Sequence, residues 1–168
     1  QGAGKPKLQY KTHRSVDAKA EIITATEVTP GEVNEAHLLS TLLAMHQDNT
    51  QTTADTVVAD TKYGTVENYL ACCDLGVNAH IPDLKRSQQA RESRRGIFAE
   101  EVFPYDPETD SYLCPAGNHL KKRNYNPKRD AYEYKCSAKV CLACHLVNQC
   151  TASKSGRSLK RHRRQEEL

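Results

Sequence analysis

The clearest pattern of apolar and polar positions lies in residues 56–68, T-V-V-A-D-T-K-Y-G-T-V-E-N. Residues 57–59 form a short apolar run, which is typical of a strand buried in a parallel or mixed sheet. The run ends on Asp60, and a Lys-Tyr-Gly turn follows it. Thr65 can cap a helix whose apolar positions recur at helical spacing, and Gly76 can end that helix. The pattern therefore predicts a strand, a turn and a helix, with Asp60 at the carboxyl end of the strand.

The surrounding residues predict further elements of an α/β fold. Tyr10–Val16 and Glu21–Val28 carry β-branched and aromatic residues, which predicts an antiparallel hairpin with Asp17 as a solvated turn residue. A helix is predicted from Asn34 to about Gln47, and another short strand in residues 77–82. We divide the chain into an α/β part (1–84), a basic linker and hairpin (85–112), a cysteine-rich module (113–152) and a basic C-terminal segment (153–168).

Two interpretations of Asp60 are open. In open α/β sheets, ligands bind at the carboxyl ends of strands, which favours a functional carboxylate at this position. Alternatively, Asp60 caps the following turn by accepting a hydrogen bond from a nearby backbone amide.

Composition limits the class of protein. The 168 residues have room for a modest core, with 38% hydrophobic residues and no tryptophan. No apolar run is long enough for a membrane span and no signal-peptide pattern opens the chain, which predicts a cytoplasmic protein without membrane partners. In that reducing compartment, the seven cysteines indicate metal binding or buried thiols, not disulfides. The adjacent Cys72 and Cys73 are both predicted to be buried thiols.

Five cysteines lie in one late segment whose spacing is typical of a zinc site. The pair Cys141-x-x-Cys144 can hold one tetrahedral ion, and the turn after Cys114, C-P-A-G, resembles half of a zinc knuckle. Tyrosines between Cys114 and Cys136 predict a small β-rich segment with a turn at residues 126–130. The alternative is a set of reduced structural thiols without metal.

Two clusters of basic residues favour contact with the DNA backbone, although the net charge is only +3. A solvated surface, or for the first cluster a mobile linker, is the alternative. The candidate DNA-binding residues are Lys85, Arg86, Arg94, Arg95, Lys154, Arg157, Lys160, Arg161, Arg163 and Arg164.

Several stretches together resemble the catalytic region of bacterial insertion-sequence transposases with a DDE triad. The segment A-D-T-K-Y-G-T-x-E-N is similar to the region around the family's second acidic residue. Five other stretches resemble segments of the family and occur in the same order. They are Y-K-T-H-R-S-V-D, E-V-T-P-G-E-V-N-E-A-H-L-L, C-P-A-G, the C-x-x-C region and G-R-S-L-K-R-H. The resemblance implies part of a ribonuclease H-like mixed sheet with flanking helices and a cysteine-rich zinc insertion. It also implies that Cys114, Cys141, Cys144 and Cys150 hold structural Zn²⁺, with Cys136 as an alternative ligand and His145 as a weaker one.

The resemblance makes Asp60 the middle carboxylate of a triad that binds two divalent cations, usually Mg²⁺. Asp60 should then project into an open cleft and accept no hydrogen bond from the amides of Lys62 or Tyr63. The family's first Asp is expected before Gln1 and its Glu after Leu168, so the chain would be a fragment that is inactive alone. The implied partner is DNA, both element ends and target, and the complete enzyme can be a homo-oligomer. The alternative function is a non-catalytic, zinc-stabilised nucleic-acid-binding protein.

Overall fold

The computed structural model describes residues 9–83 and 96–168. The chain divides into two compact units, one reaching to Leu84 and one from Lys85 to Glu167. Each unit has its own hydrophobic core. No helix in the described ranges is long and apolar enough to cross a membrane. The basic residues that the sequence predicts as the first DNA contact, Lys85, Arg86, Arg94 and Arg95, lie outside the described residues.

The first unit begins with the predicted hairpin. Strands β1 (Tyr10–Val16) and β2 (Ile23–Pro30) pair antiparallel. The second strand begins two residues later than the predicted start at Glu21. In the turn, the Asp17 carboxylate accepts hydrogen bonds from the backbone amides of Lys19 and Ala20, at 3.0 and 2.6 Å. The prediction that Asp17 is a turn residue is therefore confirmed.

The predicted helix after the hairpin is present, but its first turn is narrower than an α-helix. Asn34 caps a 3₁₀ turn, Glu35–Leu38, by accepting a hydrogen bond from the Ala36 amide at 3.2 Å. Helix α1 (Leu39–Thr50) continues from that turn. The cap is confirmed, and the helix ends three residues beyond the prediction.

The segment around Asp60 folds as its pattern indicates. Strand β3 (Thr56–Val58) is followed by a 3₁₀ turn (Thr61–Tyr63), helix α2 (Val66–Leu75) and strand β4 (Asn78–His80), which pairs parallel to β3. The Thr65 hydroxyl accepts from the Asn68 amide at 3.3 Å and so caps α2. Gly76 ends the helix at a φ of +68°, a left-handed conformation that glycine adopts without steric cost.

Within the described residues, the strands of the first unit form two separate sheets, β1–β2 and β3–β4, instead of one mixed sheet. Cys72 is in the core as predicted, and burial raises the pKa of its thiol. Cys73 is exposed, so the prediction that it is buried was wrong, because adjacent helical residues point in different directions. The buried residues of this core are Leu39, Cys72, Val77 and Ile81.

The second unit is built on a five-stranded antiparallel sheet in the order β5-β6-β7-β8-β9. The hairpin predicted before residue 112 is formed by β5 and β6, and the predicted turn at residues 126–130 joins β7 and β8. With the helices of the first unit, this sheet confirms the predicted mixed α/β class. Residues 158–162 were predicted as part of a separate basic segment, but they are the edge strand of this sheet. The strands are β5 (Tyr105–Asp106), β6 (Ser111–Leu113), β7 (His119–Asn126), β8 (Ala131–Lys135) and β9 (Ser158–His162).

Short helices lie before, between and after the strands of this sheet, and Cys141 and Cys150 on two of them pack against the second core. Two are α-helical, α3 (Ala138–Leu142) and α4 (Val147–Cys150), and two are 3₁₀ turns, Glu100–Val102 and Gln165–Glu167. The buried residues of the second core are Phe103, Leu120, Tyr134, Cys136 and Leu159.

A polar network lies on the face of the sheet that carries Tyr134 and Lys122. Asp110 has a left-handed backbone (φ +43°) and accepts hydrogen bonds from the hydroxyls of Tyr134 and Tyr105, and its other oxygen pairs with Lys122 at 2.9 Å. The Tyr134 hydroxyl and then the Lys122 ammonium lower the pKa of Asp110 to about 2. The network therefore stabilises the fold only while Asp110 is ionised.

Replacing Asp110 with Asn should make the fold less stable at neutral pH and remove part of its acid sensitivity. Because the folded pKa lies below the ordinary value of 3.8, the stabilisation is present above pH 4 and is lost as the pH falls towards 2. The side chain is 42% exposed, so solvent screening limits the effect to about 1 kcal/mol. Urea denaturation at several pH values should show the gap between the proteins closing in acid, with exposed Glu108→Gln as the control. A gap that does not change with pH would contradict the assignment.

Candidate functional site

Asp60 lies two residues after the end of β3 and is exposed. One carboxylate oxygen, Oδ1, accepts a hydrogen bond from the Lys62 backbone amide at 2.8 Å, so Asp60 caps the 3₁₀ turn that follows. The prediction that this carboxylate is free of the Lys62 amide was wrong. The first amides of a helical turn have no partner within the turn, and an Asp before the turn satisfies one of them. The second oxygen, Oδ2, accepts no hydrogen bond from any described residue.

An open cleft of about 650 Å³ adjoins Asp60. One wall is β1 with the turn after it, and the other is β3 with the residues that follow it. Leu39, Leu42 and Leu43 of α1 line the cleft between these walls. In the described part of the chain, β1 pairs only with β2 and β3 only with β4, so each strand keeps one edge without a strand partner. The cleft therefore lies between two strands that each keep an unpaired edge, and its lining combines apolar side chains with polar ones such as Asp55 and Asp60.

Charged side chains connect the Asp60 turn to the start of the preceding helix. The Lys62 ammonium lies 3.0 Å from the Glu35 carboxylate, and Lys11 of β1 lies 3.3 Å from the same carboxylate. The hydrogen bond to Lys62, followed by that to Lys11, lowers the pKa of Glu35, and Glu35 in turn raises the pKa of Lys62. The side chain of Lys62 thus pairs with Glu35, while its backbone amide donates a hydrogen bond to Asp60.

Asn68 is a structural residue of this site that was not predicted from the sequence. Its side chain is buried and donates hydrogen bonds to the backbone carbonyls of Ala36 at 2.9 Å and Tyr63 at 2.8 Å. It therefore links the Asp60 turn to the 3₁₀ turn before α1. The signal was its position four residues before Cys72, which places a polar side chain on the buried face of α2.

Replacing Asn68 with Ala should destabilise the first unit by about 1–3 kcal/mol, because the carbonyls of buried Ala36 and half-buried Tyr63 each lose a hydrogen bond from the Asn68 amide. The free energy of unfolding from urea titration measures the effect. Gln47→Ala, at an exposed position of α1, is the matched control and should change stability by no more than about 0.5 kcal/mol. If both variants are equally stable, the Asn68 hydrogen bonds do not hold the turn.

The five late cysteines lie around one narrow cavity of about 20 Å³ in the second unit. Two of them accept hydrogen bonds from backbone amides of the turns that follow them. The Asn118 amide donates to Cys114 Sγ at 3.3 Å, and the Leu146 amide donates to Cys144 Sγ at 3.4 Å. These are the contacts that the predicted knuckle turns provide to a thiolate.

The thiols are clustered but are not arranged around a metal ion. Burial, with a contribution from neighbouring Cys141, raises the pKa of Cys136 to about 11, and burial also raises the pKa of Cys150. Within residues 9–83 and 96–168, no group of three or more Cys, His, Asp or Glu side chains has a geometry that could hold a metal ion. The predicted convergence of Cys114, Cys141, Cys144 and Cys150 on one point is therefore not observed, because cysteine side chains can pack as small apolar groups without a common centre.

The C-terminal basic residues are mostly engaged within the second unit. Arg157 is buried, lies over the Phe103 ring at 5.1 Å and donates to the Cys150 carbonyl. Arg161 stacks on Tyr105 at 3.9 Å and pairs with Glu166. Arg163 pairs with Asp130 at 3.2 Å, and Arg164 pairs with Glu167. Of the predicted residues that the structure describes, Lys154 and Lys160 are exposed and form no ion pair with another described residue.

Comparison with known proteins gives one match. A family model described as "Transposase DDE domain" matches residues 1–133. No curated protein matches the chain, and no solved structure matches it. The matched range includes Asp60, the cleft and Cys114, whereas Cys136 and the later cysteines lie beyond it.

Proposed function

Because the chain belongs to the transposase DDE domain family, we propose that it carries part of the catalytic centre for DNA transposition and that Asp60 is the middle carboxylate of the triad. The observation that supports this assignment most is the position of Asp60. It follows a strand, adjoins an open cleft and keeps one carboxylate oxygen without a hydrogen-bond donor among the described residues.

The cleft also supports a ribonuclease H-like sheet. Its two walls include β1 and β3, each of which keeps one unpaired edge among the described residues, and three leucines of α1 line it. A strand that carries the first Asp of the triad would pair with such edges and cover the leucines of α1. The two small sheets would then become one mixed sheet, with the first Asp close to Asp60. This arrangement agrees with the general position of ligand sites at the carboxyl ends of strands.

The chemistry follows from the carboxylates. In this family two divalent cations, usually Mg²⁺, activate the attacking water or 3′-hydroxyl and stabilise the leaving oxygen during in-line phosphoryl transfer. Asp60 would help to hold such a cation, and the hydrogen bond that its Oδ1 accepts from the Lys62 amide fixes the orientation of the carboxylate. Asp60 alone is a weak Mg²⁺ ligand, since Mg²⁺ keeps most of its waters unless several anionic oxygens share it.

The same proposal includes a structural Zn²⁺ in the second unit, held by Cys114, Cys141, Cys144 and Cys150. It is supported by the shared cavity and by the amide donors at Cys114 and Cys144. Zinc requires thiolates, so binding would release protons and rearrange the packed thiols around one centre. Gly156 lies so close to Cys141 that an added Cβ would be 3.1 Å from its sulfur, so a larger residue at position 156 would crowd this thiol.

The experiment that tests the proposed activity is cleavage of DNA carrying the ends of the encoding element, in Mg²⁺, by protein expressed from the complete reading frame. A transposase should cut at the element ends and join them to a target. A protein that only binds this DNA would instead be the zinc-stabilised nucleic-acid-binding protein considered as the alternative.

A further inference from the structure

The two faces of the five-stranded sheet differ sharply. One face carries the buried side chains of Leu120, Tyr134 and Leu159. The residues that alternate with them, Lys121, Lys135 and Lys160, project from the opposite face because side chains alternate along each strand. Lys121 and Lys160 are exposed and Lys135 is half-buried. We call the face with these three residues the lysine face.

The register places like charges side by side on this face. Lys121 of β7 is directly opposite Lys135 of β8, and Lys135 is opposite Ser158 of β9. Like charges at directly opposed positions destabilise a sheet. Neither lysine of the pair forms an ion pair with any residue that the structure describes, although Lys122 on the other face has both Asp110 and the Tyr132 ring. The repulsion between Lys121 and Lys135 is therefore not offset by an ion pair with any described residue.

Acidic residues do not neutralise the lysine face. Glu133 is opposite Lys160 in the register, and Asp106 is opposite Ser111 at the β5 end, so both lie on this face. Glu133 has no described ion pair with Lys160. The Asp106 carboxylate is engaged by the Thr109 hydroxyl and by the Glu108 amide. The centre of the face, from β7 to β9, is therefore cationic.

We propose that the lysine face binds the phosphate backbone of DNA. This inference rests on the proposed function and specifies which surface of the second unit contacts the DNA. A polyanion compensates the opposed lysines, and lysine contacts phosphate as a point charge without reading sequence. The arginines of the C-terminal segment are less available, because Arg157, Arg161 and Arg163 are already held by Phe103, Tyr105 and Asp130.

The test measures duplex DNA binding of the full chain with and without Lys121→Gln and Lys135→Gln, over a range of salt concentrations and on a sequence unrelated to the element. Each lost phosphate contact reduces the slope of log K against log salt by about 0.9, so the double variant should lose about 2 units. Near 0.1 M salt this corresponds to about 50-fold weaker binding. The melting temperature should rise or stay unchanged, because a repulsive pair is removed.

The matched control is Lys139→Gln, a change at an exposed lysine outside the face, which is compared with the single variant Lys121→Gln because both remove one positive charge. This control should keep the wild-type salt slope. An unchanged slope in the Lys121/Lys135 variant, while the wild type binds DNA, would overturn the lysine face and leave the transposase assignment intact. A wild-type chain that does not bind DNA would also overturn the lysine face, whereas the transposase assignment is tested separately by the cleavage experiment. Weaker DNA binding by the Lys121/Lys135 variant together with a lower melting temperature would also overturn the proposal, because the fold itself would be damaged. Loss of self-association with unchanged DNA binding would overturn it too, because the face would then contact a second copy of the chain.

Discussion

Protein purified without chelator is expected to contain about one zinc ion per chain, and Cys141→Ser should remove it and unfold the cysteine region. Cys141 shares a cavity with the other four late cysteines and is in close contact with Cys136 and Gly156. Among the described residues, the second core has five buried members, so a bound ion would supply a large part of its stability. Structural zinc contributes roughly 10–16 kcal/mol of apparent binding free energy in small zinc-binding peptides at neutral pH.

Elemental analysis and thermal unfolding measure these two effects. Cys73→Ser, which changes an exposed cysteine of the first unit, is the matched control and should keep full zinc content. Cys136→Ser tests the choice of ligands, since zinc retained in this variant supports Cys150 as the fourth ligand. Protein without zinc, or zinc content that Cys141→Ser leaves unchanged, would show that the cluster is a set of packed thiols.

Local signals in the sequence were sufficient to predict the elements around Asp60. Thr65 and Gly76 mark the ends of α2 through hydrogen bonds and a backbone angle that depend on neighbouring residues only. Asn34 marks the start of the preceding helix in the same way. The turn at Asp17 depends on amides two and three residues away. Contacts of this range are encoded in short segments, which is why these predictions were correct.

Contacts between distant segments were not predictable from the same signals. The basic run near the C-terminus has the composition of a solvated surface, but Leu159 fills the core and Arg161 stacks on Tyr105, more than fifty residues earlier. The hydrogen bond from Asn68 to Ala36 likewise joins residues more than thirty positions apart. The spacing of cysteines indicates that the thiols are near one another, but not that their sulfurs meet at one point. Pairing across long separations depends on the whole fold and not on local preference.

The largest effect is expected from Asp60→Asn. Asparagine accepts the Lys62 amide as aspartate does, so the turn and the DNA affinity should be preserved. The substitution removes the negative charge that divalent cations need at this position. Metal ions provide several kcal/mol of charge stabilisation in the transition state, and each 1.36 kcal/mol is a factor of ten in rate. The rate of DNA cleavage should therefore fall by about 1,000-fold or more.

Asp55→Asn is the matched control, because Asp55 is exposed and lines the same cleft without following the strand. The most direct measurement compares Mg²⁺-dependent cutting of element-end DNA by wild-type, Asp55→Asn and Asp60→Asn proteins, all expressed from the complete reading frame and matched for DNA binding. Our account predicts that the first two proteins cut and that the Asp60→Asn protein binds the DNA without cutting it. Normal cutting with asparagine at position 60 would contradict the assignment of Asp60 to the catalytic triad.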